Sequence, residues 1–196
     1  MRALIMVDVQ NDFLPRGALA VPEGDKVIPV LNSLQAQFDL VVATQDWHPE
    51  GHSSFASQHD GKKPFDEIEW RGGKQILWPD HCVQGSAGAE ISDKLDTKRV
   101  EAVFRKGTDK LIDSYSGFYD NNREKSTALA DYLRGKGIKQ VFVGGLATDV
   151  CVYYTALDSL KEGFDTSLII DACRGLSEDA VAEALQKIRS EGGHII

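Results

Sequence analysis

Short apolar runs alternating with helically spaced segments constrain this chain more than any other feature. Ala3–Val7 is a continuous apolar run, the pattern of a strand covered on both faces. Leu40–Thr44, Val100–Phe104, Val141–Val143 and Thr166–Ile170 repeat the signal, and His194–Ile196 suits a further, edge strand. From Asp25, apolar residues at Val27, Ile28, Leu31, Leu34 and Phe38 have helical spacing, with Pro29 tolerable only near the first turn. Residues 126–134 read as a helix stopped by Gly135 and Gly137. Thr148 or Asp149 is placed to cap a helix that ends at Gly163 and buries Val150, Tyr153, Tyr154, Leu157 and Leu160. Ser177 is placed to cap a last helix carrying Val181, Leu185 and Ile188, stopped by Gly192-Gly193. The alternation predicts a single-domain three-layer α/β sandwich over residues 1–196, with a mainly parallel sheet of about six strands and helices on both faces.

Residues 46–85 interrupt the pattern. They show no clear periodicity, yet they hold all three Trp and four of the five His. So long an irregular stretch in a compact domain is expected to be functional.

Composition narrows the function classes. Lys+Arg is 22 and Asp+Glu is 30, so the formal net charge is −8. That argues against nucleic acid or an anionic membrane held by general electrostatics. Three cysteines, Cys82, Cys151 and Cys173, do not make a disulfide framework and point to a reducing, cytoplasmic compartment. The run ended by Asp8 is too short for a signal-peptide core or a membrane span. There is no GxGxxG or P-loop fingerprint, which disfavours a nucleotide-binding protein.

In parallel α/β sheets, ligands bind beyond the carboxyl ends of the strands. The strand ends here carry Asp8, then Asp46-Trp47-His48, then Arg105-Lys106, then the turn Gly144–Cys151. Cys151 follows a glycine-rich strand-to-helix turn, where free N–H groups and the helix dipole would lower a thiol pKa and could hold an oxyanion. The alternative is a small buried hydrophobe. Asp8 suits either a general base or a loop cap, and Lys106 alone could be a surface lysine. Together the three have the parts for amide hydrolysis. Asp46 and His48, two apart on an extended segment, could face one metal ion, with His52 and His81 as further ligand candidates. Mixed His/carboxylate ligation suits Zn²⁺, Fe²⁺ or Mn²⁺. His59 and His194 read as ordinary polar residues, and Cys82 and Cys173 as structural ones.

Segments in order along nearly the whole chain resemble the nicotinamidases, within the isochorismatase-like cysteine hydrolases. They are Val7–Phe13, Thr44–Pro49, Gly51–Ala56, Trp78–Cys82, Phe104–Gly107, Asp113–Phe118 and Gly145–Cys151. The resemblance implies a triad of Asp8, Lys106 and Cys151, and metal ligands at Asp46, His48 and His81, with His52 or Ser54 where a further ligand would be sought. It implies Phe13 and Trp78 around the substrate ring, with Leu146, Ala147 and Tyr115 nearby. It also implies a cis peptide between Leu146 and Ala147, and an oxyanion hole from the Ala147 and Cys151 N–H groups. The implied reaction is hydrolysis of nicotinamide to nicotinate and ammonia through a Cys151 thioester, as in NAD salvage, with pyrazinamide a second substrate. The implied cofactor is one divalent ion, Zn²⁺ ahead of Fe²⁺ or Mn²⁺. The partner is a small molecule, not nucleic acid or membrane, and the protein is a monomer or a homo-oligomer. Rival readings are a cysteine amidase for ureido or carbamoyl substrates and a non-catalytic protein on the same fold.

Overall fold

The computed structural model describes residues 1–196. Its main sheet has six strands in the order β5-β2-β1-β6-β7-β8, and every pairing is parallel. The strands are β1 (Arg2–Val7), β2 (Leu40–Asp46), β5 (Val100–Lys106), β6 (Gln140–Leu146), β7 (Asp165–Arg174) and β8 (His194–Ile195). The most apolar runs, β1, β2 and β6, occupy the middle, as burial on both faces demands.

Side-chain alternation divides the core into two layers. Leu4 and Met6 of β1 face a cluster with Val27, Ile28 and Leu31 of α1 (Val27–Leu34). Ala3, Ile5 and Val7 face the other layer. There they meet Leu129 and Leu133 of α2 (Leu129–Gly135), Ala156 and Leu157 of α3 (Tyr153–Lys161), and Ile188 of α4 (Glu178–Ser190). The three-layer expectation is met. No helix is long and apolar enough to cross a membrane.

The irregular stretch contains a 3₁₀ turn at Ala56–Gln58 and an antiparallel hairpin, β3 (Glu67–Trp70) with β4 (Gly73–Ile76). Two helix starts differ from the expectation. α2 begins at Leu129 rather than 126, because Ala128 is left-handed (φ 69°) and the Thr127 hydroxyl donates to the Gly117 carbonyl instead. Neither Thr148 nor Asp149 caps the helix after β6. The chain enters a π-helical turn, Thr148–Val152, from Ala147 with no side-chain cap, and α3 follows. The wide turn rotates the buried face. Tyr154, expected inside, is 43% exposed, while Thr155, Ala156 and Leu157 are buried. Ser177 does cap α4, its hydroxyl accepting from the Ala180 N–H.

Candidate active site and metal centre

The carboxyl ends of β1, β2, β5 and β6 bring Asp8, Asp46, Lys106 and Cys151 together. All are buried, Asp8 and Lys106 at 0% and 1% exposure. Lys106 Nζ donates to Asp46 Oδ1 at 2.5 Å, to the Ser114 carbonyl at 2.9 Å and to Cys151 Sγ at 3.4 Å. It also lies 2.9 Å from Asp8 Oδ2, but off the hydrogen-bonding direction, so that oxygen has no aligned donor. Asp8 Oδ1 accepts from the Thr44 hydroxyl at 2.6 Å. Thr44, which has no local sequence signal, thus orients the carboxylate with its Oδ2 facing Lys106.

Burial governs the charge states. It would lower the Lys106 ammonium, but Asp46 and Asp8 outweigh it and hold the lysine well above its ordinary value. Burial pushes the Asp8 carboxyl up, and Lys106 only partly offsets this. Asp46 goes the other way: despite burial, Lys106 and His48 hold it well below the usual range. The lowered thiol pKa expected at Cys151 is not found. Desolvation drives it well above the ordinary value, beyond what Lys106 can offset. The resting group is therefore a thiol, which needs a base beside it.

The Leu146–Ala147 peptide is cis. The Ala147 carbonyl accepts from the Val150 and Val152 N–H groups, while its own N–H takes no part in the turn's hydrogen bonds.

Beside the thiol, Asp46 Oδ2 lies 3.5 Å from His48 Nε2 and 3.8 Å from His81 Nε2. His48 Nδ1 is 3.0 Å from the Gly107 carbonyl and His81 Nδ1 is 2.8 Å from the Pro79 carbonyl. A carbonyl only accepts, so each Nδ1 carries a proton, and Nε2 is the atom each ring turns toward Asp46. Gly107 is needed there, because a Cβ would meet the His48 ring at 2.4 Å. Burial would lower His48, yet Asp46 raises it, so positive charge is favoured at this point. Two imidazole nitrogens and a carboxylate converging in a buried site fit a divalent cation of the Zn²⁺, Fe²⁺ or Mn²⁺ kind. His52 groups with His48 and Asp113 rather than with the Asp46–His81 pair. Its Nδ1 is engaged by the Ser54 hydroxyl at 2.8 Å, and its buried Nε2 has no partner.

A cleft with mostly apolar walls opens onto Cys151, Asp46 and His81. Phe13, Trp78, Tyr115 and Ala147 line it, as do Leu19, Val21, Leu176 and Asp113, which had no assigned role in the sequence, and Val150, expected only as helix packing. Leu146 does not line it. That side chain, at the end of β6, is fully buried in the core. Gln10 has no local sequence signal for its role: its amide brackets the Asp46 backbone, donating to the carbonyl and accepting from the N–H, both at 2.8 Å. Only a folded neighbour reveals such a clamp. Cys82 and Cys173 are buried and do not line the cleft, and burial pushes Cys173 up to about 12.

The isochorismatase domain pattern matches residues 2–196. A nicotinamidase of Escherichia coli is 50% identical over 180 residues, covering 90% of this chain and 84% of its own. The solved nicotinamidase/pyrazinamidase of Acinetobacter baumanii superposes with a TM-score of 0.97 at 46% identity, covering 100% of this chain and 95% of its own. A pyrazinamidase of Pyrococcus horikoshii in complex with zinc superposes with a TM-score of 0.82 at 42% identity, covering 100% and 98%. The chain therefore belongs to the isochorismatase domain family, among its nicotinamidase members.

Proposed function

We propose that residues 1–196 act as one hydrolase domain converting nicotinamide to nicotinate and ammonia, with pyrazinamide as a second substrate. The observation that carries this reading is the buried Lys106 ammonium, which touches the Cys151 thiol and lies between Asp8 and Asp46 beside an apolar cleft. The relatives named as nicotinamidases support the substrate. Phe13 and Trp78 would flank the pyridine ring, and Tyr115 would close one side. Asp46, His48 and His81 would hold a divalent ion, with Zn²⁺ favoured by the zinc-bound relative. Such an ion, when bound, supplies a Lewis acid able to orient a ring nitrogen.

The residues divide the chemistry as follows. Asp8 Oδ2 takes the thiol proton as Cys151 Sγ attacks the carboxamide carbon. The Ala147 and Cys151 N–H groups hold the oxyanion. The C–N bond breaks, Asp8 returns the proton to the departing amine, and ammonia leaves a Cys151 thioester. Water then gives a proton to Asp8 and attacks that carbonyl. The C–S bond breaks, Asp8 returns the proton to the sulfur, and the carboxylic acid departs, losing its own proton to solvent as nicotinate. Lys106 remains an ammonium throughout, offsetting charge that moves between Asp8 and the sulfur. Production of nicotinate would place the enzyme in NAD salvage.

Benzamide has the carboxamide but no ring nitrogen. Ammonia release from nicotinamide with little or none from benzamide is the expected result. Equal turnover of both would overturn the substrate assignment.

A further inference from the structure

Part of the cleft wall belongs to the loop between β7 and α4. Leu176 of that loop lines the cleft together with Ala147, Val150 and Cys151. No strand or helix holds Leu176 in place. Its side chain packs against the core cluster that includes Phe13, Leu19 and Ala147, and its backbone N–H is held by one side chain from the nucleophile turn. Asp149 accepts from the Leu176 N–H, 3.0 Å from Oδ1 and 3.2 Å from Oδ2, and from the Ser177 N–H at 3.1 Å. The carboxylate is partly buried and has no ion-pair partner of its own. The loop is pressed close against it: a Cβ on Gly175 would lie 2.9 Å from Asp149 Oδ1 and 2.2 Å from Val181 Cγ2. α4 does not need Asp149 as its cap, since Ser177 already fills that role. The partial positive charge at the start of α4 nevertheless strengthens the carboxylate's grip.

We propose that Asp149 is a positioning residue that fastens Leu176 as a wall of the substrate cleft, and that this pair sets the size limit of the ring the enzyme accepts. The clasp joins the wall to the turn carrying Cys151, so ring and sulfur are placed by one rigid unit. Leu176 is the specificity-determining side chain and Asp149 acts through it. The proposal rests on the carboxamide-hydrolase reading above.

The test is a double-mutant cycle with Asp149→Ala and Leu176→Ala, each alone and combined. The readout is kcat/KM for quinoline-3-carboxamide, a bicyclic ring that keeps the same nitrogen, divided by kcat/KM for nicotinamide. This ratio cancels any loss of folded enzyme. Each single variant is expected to raise it about tenfold, and the double variant no further than the larger single effect. Asp149→Asn, which keeps one carbonyl oxygen for the Leu176 N–H, is expected to retain most of the wild-type ratio. It serves as the second variant should the alanine protein fail to fold. An unchanged ratio in Leu176→Ala, or effects that multiply in the double variant, would overturn the proposal. Wild-type protein that releases no ammonia from nicotinamide would instead sink the substrate reading. The clasp is then read without turnover, from the rate of Cys151 modification by N-phenylmaleimide relative to iodoacetamide. The same non-multiplying rise is expected, and a flat ratio contradicts the clasp.

Discussion

Thr44 and Asp8 meet through two hydrogen bonds: the Thr44 hydroxyl donates to Asp8 Oδ1 at 2.6 Å and accepts from the Asp8 N–H at 3.2 Å. The pair fixes the carboxylate so that Oδ2 is left without an aligned donor. Thr44→Val keeps the shape and removes both bonds. A hydrogen bond to a charged group contributes about 1.5–3 kcal/mol, so kcat is expected to fall roughly 10- to 100-fold. Steady-state ammonia release checks this, and an unchanged kcat would mean that Asp8 needs no orienting partner.

Lys106 carries the larger risk to the fold. Its ammonium lies within 2.9 Å of Asp8 and 2.5 Å of Asp46, all nearly without solvent. Lys106→Met would remove the one ammonium that the two buried carboxylates share. Breaking a buried pair in this way costs about 3–5 kcal/mol. Thermal melting should show that loss, and activity should fall by more than the melting curve alone explains. A variant as stable and active as wild type would contradict the central role of the ammonium.

The metal site gives a separate expectation. Asp46→Ala with His48→Ala removes two of three converging donors. Elemental analysis is expected to find one divalent ion per wild-type chain and essentially none in the double variant. Undiminished metal in the variant would place the ion elsewhere.

The three thiols should differ in reactivity. Only Cys151 borders the cleft, whereas Cys82 and Cys173 are buried, and burial raises the pKa of both. Native protein treated with iodoacetamide near neutral pH is expected to take one label, at Cys151. Because burial also raises the Cys151 thiol, labelling should quicken as pH rises. Mass spectrometry showing a second labelled cysteine in folded protein would contradict this.

The central sheet was legible because β1, β2 and β6 are apolar on both faces and announce themselves as runs. Asp8, Asp46 and Lys106 were legible because they break or end those runs where ligands bind. The β3–β4 hairpin was not, since Glu67–Trp70 and Gly73–Ile76 lie half in solvent and carry little hydrophobic pattern. The π-helical turn was hidden for another reason. Asp149 has the composition of a helix cap, but it spends its carboxylate on N–H groups 27 and 28 residues away. Thr44 and Gln10 are likewise defined by partners 36 residues distant, which no local spacing reveals. The pKa of Cys151 turned on burial rather than on the helix terminus, and burial at one atom is a tertiary property.

The most direct test compares ammonia release from nicotinamide by wild-type protein and by Cys151→Ala, with fold and metal content verified in both. Wild type is expected to turn over, and the folded, metal-loaded variant to be inactive. Near-normal release by Cys151→Ala would contradict a thioester route through this sulfur.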